Sequence, residues 1–142
     1  MDPDRMNKRK AFFKTREHAI LENYKLVFNK IAESDPNHMS YANIIPDEGN
    51  IVEGALYFLQ DISLDKLDVF EGVPTQYIRK TVSVKRNDGI NVDAITYIAL
   101  PSQCKPNLRP RKWYLEHILK GQDLLSNKYF HWLKSIETLD EQ

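Results

Sequence analysis

Cysteine is almost missing from this chain of 142 residues: Cys104 stands alone. A single thiol closes no internal disulfide. Without a Cys-x-x-Cys pair or a Cys/His cluster no zinc-like ligand spacing exists, and the four histidines (His18, His38, His117 and His131) are scattered, so no metal is expected. An excess of charge is lacking too, since 20 Lys+Arg balance 20 Asp+Glu. That removes the general attraction to phosphate backbones and anionic lipid, so neither nucleic acid nor membrane is expected as a partner. Apolar runs are only a few residues long, too short to span a bilayer. The opening MDPDRMNKRK is charged with no apolar stretch behind it, which argues against a signal peptide and makes the cytosol the expected compartment. There is no glycine-rich phosphate loop, and no serine or threonine in a nucleophile elbow.

What is present is ordinary in amount and informative in order. A hydrophobic fraction of 42% with 28% charged residues, at this length, describes one globular domain spanning residues 1–142. Asp2-Pro3 reads as a helix start, predicting a short helix from Pro3 to about Lys10. Strand-type runs follow at Ala19 to Leu21, Tyr24 to Ile31, Tyr41 to Ile45 (stopped by Pro46) and Ile51 to Leu59, with Asp47 to Asn50 read as a turn. Ser63 is the expected cap of a helix over Leu64 to Glu71, closed by Gly72 as a left-handed C-terminal residue. Tyr77 to Arg86 and Ile90 to Leu100 read as a hairpin about Asn87-Asp88-Gly89. Beyond Pro106 and Pro110 come two helices, one with the apolar face Trp113, Tyr114, Leu115, Ile118 and Leu119 and a stop at Gly121. The other is capped by Ser126 and carries Tyr129, Trp132, Leu133 and Ile136 at helical spacing. The fold class is α+β, with an antiparallel-rich sheet in the middle.

Chemistry concentrates at Glu71. A carboxylate at a helix C-terminus meets the partial negative charge of free carbonyls, and Phe70 and Gly72-Val73-Pro74 offer little to solvate it. Both effects push a carboxyl pKa upward, toward the range useful to a general base. The alternative is a solvated glutamate that tolerates a small penalty. Tyr77, Tyr97 and Tyr114 form a second group, either lining a pocket for a small polar substrate or filling a core while their hydroxyls find backbone acceptors. Arg109 to Tyr114 mixes cations with aromatics as single-strand nucleic-acid grooves do, although the solvated entry of a helix has the same composition. Cys104 has no paired histidine and reads as a free, semi-buried or surface thiol.

These residues also resemble a known pattern. The run Leu64 to Val73 followed by Tyr77 is similar to the "LD..EG....Y" signature of the γ-glutamylcyclotransferase-like superfamily. That group includes γ-glutamylcyclotransferases, γ-glutamylamine cyclotransferases and the plant avirulence-induced-gene-like proteins. Tyr24 to Asn29 resembles its "Y.L.F" strand, Ala42 to Pro46 its "A.I.P" stretch, Ile51 to Tyr57 its "V.G..Y" strand, and Tyr114 with Gly121 its late "Y...I..G" helix. The resemblance implies a strongly bent mixed β-sheet approaching a small barrel, flanked by helices. It also implies an enzyme, without metal or cofactor, that cyclises a small-molecule γ-glutamyl substrate to 5-oxoproline and releases an amine or amino acid. Glu71 matches the catalytic acid/base, and Tyr77, Tyr97 and Tyr114 match pocket positions. Met1 to Met6 resembles the segment following the family's Tyr-Gly-Ser-Asn loop, so that loop and the strand before it are expected to be missing and turnover impaired. A non-catalytic member, binding a small molecule or a protein, is the alternative reading. The oligomeric state is left open.

Overall fold

The computed structural model describes residues 1–139. Helix α1 (Pro3–Lys8) starts where Asp2 predicts, with the Asp2 carboxylate accepting from the Asp4 and Arg5 N–H groups. Four strands follow or flank a second helix: β1 (Phe13–Ile31), β2 (Ser40–Leu59), α2 (Asp61–Phe70), β3 (Tyr77–Arg86) and β4 (Asn91–Ala99). The chain ends in α3 (Lys112–Leu119) and α4 (Asn127–Lys134), the latter capped by Ser126 Oγ accepting from the Tyr129 N–H. Among the described residues no helix is long and apolar enough to cross a membrane.

The sheet runs β2-β1-β3-β4, and every pairing of these strands is antiparallel. Parallel pairing, expected of a mixed sheet, is confined to the isolated bridges Met39 to Arg109 and Arg111 to Leu139. Alternate residues point to one face: Ala19 and Leu21 of β1 pack with Val82 and Val84 of β3, and Ile44, Val52, Val92 and Ala94 extend the same surface. The two edge strands curl toward each other, as an incipient barrel requires. Asn43, buried on β2, makes that closure specific: its Oδ1 accepts from the Ala99 N–H of β4 at 2.9 Å and its Nδ2 donates to Asn29 Oδ1 at 3.1 Å.

Two local expectations change. The segments 41–45 and 51–59 are one strand rather than two, because the turn-type residues between them form a bulge. Glu22 pairs with Ile51 and Tyr24 with Pro46, so residues 47–50 of β2 stand opposite Asn23 alone. Gly49 takes a φ of +85° there and its N–H is held by Asn23 Oδ1 at 3.1 Å. Pro46 is tolerated because β2 is an edge strand. Ser63 is not a cap either, since α2 begins at Asp61 after Gln60. The Ser63 hydroxyl instead donates to the Phe12 carbonyl, stitching α2 to the start of β1.

Candidate functional site

Helix α2 stops through a backbone device that fixes the residue before it. Gly72 adopts a φ of +65°, the Gly72 N–H donates to the Val69 carbonyl, and the Val73 N–H donates to the Asp68 carbonyl. That pair of bonds satisfies the helix end and leaves Glu71 as its C-cap. The Glu71 side chain is half-buried at the junction of two cavities. The larger, of about 730 Å³, is walled by α1, α2, α3 and the apolar sheet face; the smaller, of about 380 Å³, lies toward Lys30, Tyr41 and Tyr77. Glu71 and Tyr114 border both.

Burial pushes the Glu71 carboxyl above the usual glutamate range, and Arg9 and Arg5 only partly oppose it. Arg9 Nη1 lies 3.8 Å from Glu71 Oε1, an ion pair too long for a hydrogen bond. Among the described residues the carboxylate has no hydrogen-bond donor, so it is free to take and return a proton.

The three tyrosines divide. Tyr77 and Tyr114 sit with Glu71 around the smaller cavity and clamp the backbone of one residue of β2: the Tyr77 hydroxyl donates to the Ala42 carbonyl at 2.7 Å, and the Ala42 N–H donates to the Tyr114 hydroxyl at 3.1 Å. Burial raises both phenol pKa values above the ordinary 10, so both remain neutral hydrogen-bonding groups. Tyr97 borders the larger cavity only. Its hydroxyl donates to Asp68 Oδ1 at 2.6 Å, and Asp68 is also held by Arg79. Tyr97 therefore braces the helix that carries Glu71.

Three cations at the site were not singled out from the sequence. Arg5 and Arg9 are four apart in and just after α1, a spacing that puts them on one side, and this was the available signal. The guanidinium of Arg9 lies over the Phe70 ring at 5.0 Å and that of Arg5 over the Tyr114 ring at 5.9 Å. Lys30 is 3% exposed, with its ammonium donating to the Ile31 carbonyl and lying over the Tyr41 and Tyr77 rings. Its only sequence mark is a charge beside Asn29 at the end of a run, Leu26 to Phe28, that is apolar.

The remaining candidates fall outside the site. Cys104 is half-buried, accepting from Asn43 Nδ2 at 3.7 Å, and burial raises its pKa. In the basic segment, Arg109 pairs with Glu137 and Arg111 with Asp35. His131 is exposed on α4. His117 is the exception: it borders the larger cavity, and its Nδ1 donates to Asp2 Oδ2 at 2.8 Å, tying α3 to the start of α1.

The sequence profile of the AIG2-like family matches residues 51–133, more than half the chain and including Glu71, Tyr77, Tyr97 and Tyr114. The chain belongs to the AIG2-like family. Solved structures agree on the fold of this AIG2-like protein. A gamma-glutamyl cyclotransferase superposes with a TM-score of 0.86 at 21% identity, over 99% of this chain and 84% of that one. The uncharacterized protein loc79017 from Homo sapiens gives a TM-score of 0.76 at 22% identity, over 90% of this chain and 79% of that one. YkqA from Bacillus subtilis gives 0.83 at 26% identity, over 97% of this chain but 52% of YkqA, so the AIG2-like chain spans about half of it. A search of curated proteins finds no match. The AIG2-like fold is therefore that of the γ-glutamylcyclotransferase-like superfamily.

Proposed function

We propose that this protein catalyses intramolecular aminolysis of γ-glutamyl compounds in the cytoplasm, with Glu71 as the acid/base. The supporting observation is the state of that carboxyl: raised in pKa by burial, fixed at a helix end between two cavities, and free of hydrogen-bond donors. The ionised Glu71 takes a proton from the substrate α-ammonium. The amine then attacks the γ-carbonyl, closing a five-membered ring, and the bond to the leaving nitrogen breaks as Glu71 returns the proton to it; the ring nitrogen then gives up its second proton to the ionised Glu71, which passes it to the departing amine so that the amine leaves as its ammonium. The products are 5-oxoproline and the released amine or amino acid, and no water is consumed. Nucleophile and carbonyl belong to one molecule, so proximity is supplied by the substrate and the protein need only fold it and relay two protons from the attacking to the leaving nitrogen. Tyr77 and Tyr114 form the wall beside Glu71 and Tyr97 braces its helix.

The test is 5-oxoproline release from a panel of γ-glutamyl dipeptides, measured on this chain and on a form carrying whatever its gene encodes ahead of Met1. Release is expected to fall by roughly a hundredfold or more in Glu71→Gln, the contribution typical of general acid–base groups. Release that survives the substitution refutes the assignment, and absence of release from both forms points to a binding role for the same cavity.

A further inference from the structure

The two tyrosines beside Glu71 make opposite use of Ala42. A carbonyl oxygen only accepts, so the Tyr77 hydroxyl has committed its proton to the Ala42 carbonyl at 2.7 Å. A backbone N–H only donates, so at the Tyr114 hydroxyl it is the oxygen that is engaged, by the Ala42 N–H at 3.1 Å. The Tyr114 proton is left over, and among the described residues nothing accepts it. Burial keeps that phenol protonated. Glu71 is the converse case, an acceptor that no described residue donates to. Both side chains border both cavities, yet neither bonds to the other. An unpaired donor and an unpaired acceptor at one junction can each meet a different atom of a group placed between them.

An amide is such a group. Its nitrogen is the atom to which Glu71 passes protons, and its carbonyl oxygen gains charge as the amine attacks. We infer that the Tyr114 hydroxyl hydrogen-bonds to the γ-carbonyl oxygen of the substrate and stabilises the oxyanion formed during ring closure. The inference rests on the cyclotransferase reading and assigns one of its wall residues a part in the chemistry. The carbonyl π pair moves onto oxygen as the ring C–N bond forms and returns as the bond to the leaving nitrogen breaks. The Tyr114 proton stays on its own oxygen throughout, so the two protons relayed by Glu71 are unaffected. The Ala42 N–H serves the donor twice. It polarises the phenol, since a hydroxyl that accepts a hydrogen bond donates a stronger one, and it fixes the oxygen in place before the substrate arrives. Tyr77, its proton already held by Ala42, has none to offer.

The experiment compares γ-glutamylanilide with its γ-thioanilide, in which sulfur, a poor hydrogen-bond acceptor, replaces the carbonyl oxygen. Aniline release is followed for this chain and for the form extended ahead of Met1, each with and without Tyr114→Phe. On the oxygen substrate the substitution is expected to lower kcat by roughly a hundredfold to a thousandfold with KM nearly unchanged, as removal of one oxyanion donor does. On the sulfur substrate it is expected to cost below about tenfold, because little bond is lost. A Tyr114 that only supports structure through Ala42 would slow both substrates equally, which overturns the inference, as does undiminished release. A proton serving Glu71 instead would, when lost, move the acid limb of the rate to higher pH for both substrates, which also overturns it. Because Tyr114→Phe leaves the Ala42 N–H without its acceptor, a second variant carries 3-fluorotyrosine at position 114, which keeps that acceptor and strengthens the donor. It is expected to widen the oxygen-to-sulfur rate ratio, and an unmoved ratio refutes the role even if Tyr114→Phe fails to fold. The two readings fail separately. Release that depends on Glu71 but not on Tyr114 removes the oxyanion donor and keeps the cyclotransferase, whereas no aniline release by either unsubstituted form refutes both.

Discussion

Glu71 stands in a place that does not favour its charge. Its ordinary pKa of 4.5 applies to the unfolded chain, and burial raises it in the folded one. Between those two values the folded state binds more protons, so this group's stabilising contribution is present below 4.5 and lost as pH rises through the folded value. Glu71→Gln is therefore expected to raise the melting temperature at neutral pH, with little change in acid, as thermal unfolding at two pH values would show. A carboxylate that mainly stabilised α2 would give the opposite sign. Arg9 opposes the upward shift, so Arg9→Gln should move the acid limb of any Glu71-dependent rate to higher pH, visible in a pH profile of kcat/KM. This part of the site was legible in the sequence: a carboxylate beside a left-handed glycine and apolar neighbours already implied desolvation. Arg5 and Arg9 were not, because charged residues on a short terminal helix look solvated until the cavities beside them are known.

Element ends decide where Glu71 points. Gly72 has a φ of +65°, and a Cβ there would stand 2.7 Å from Gln76 Cγ and 3.0 Å from its Cβ. Gln76 is tied to Glu33 through its amide, so it does not yield freely. Gly72→Ala is expected to cost about 1–2 kcal/mol in chemical denaturation from the left-handed backbone alone, and to lower the rate by displacing the cap residue. Caps and turns with a local mechanism were read correctly: Asp2 on α1, Ser126 on α4, and the Asn87-Asp88-Gly89 loop, where Gly89 takes a φ of +82°. Ser63 and the break at Pro46 were misread because tertiary pairing overrode local preference. Ser63 finds the Phe12 carbonyl fifty-one residues away, and β2 absorbs its turn residues as a bulge along a free edge.

Closure of the sheet and docking of the last helix rest on two buried polar side chains. Asn43 joins the sheet edges, and Asn43→Ala would leave the Ala99 N–H without its partner, an expected loss of about 1–3 kcal/mol read from urea unfolding. Glu53 of β2 accepts from the Ser126 N–H at 2.8 Å and hydroxyl at 2.6 Å, with His18 Nε2 at 3.1 Å. Burial alone would raise its pKa, but these partners outweigh it and hold the carboxyl below the usual 4.5. Its contribution is thus present above 4.5 and lost as pH falls through the folded value. Ser126→Ala is expected to cost about 1 kcal/mol, the usual worth of a cap, and to make stability fall less steeply in acid, because the folded Glu53 carboxyl is then less depressed, as acid unfolding followed by circular dichroism would show. Neither contact could be read from the chain, since each joins strands or helices whose mutual placement only the closed sheet defines.

The central claim is that the Glu71 carboxyl carries the proton in γ-glutamyl cyclisation. Its most direct test is the pH dependence of 5-oxoproline release for the unsubstituted protein and Glu71→Gln. The account predicts release whose acid limb lies above the ordinary glutamate value of 4.5 and which is lost with the carboxyl. Release of comparable rate from Glu71→Gln, with the same limb, would contradict it.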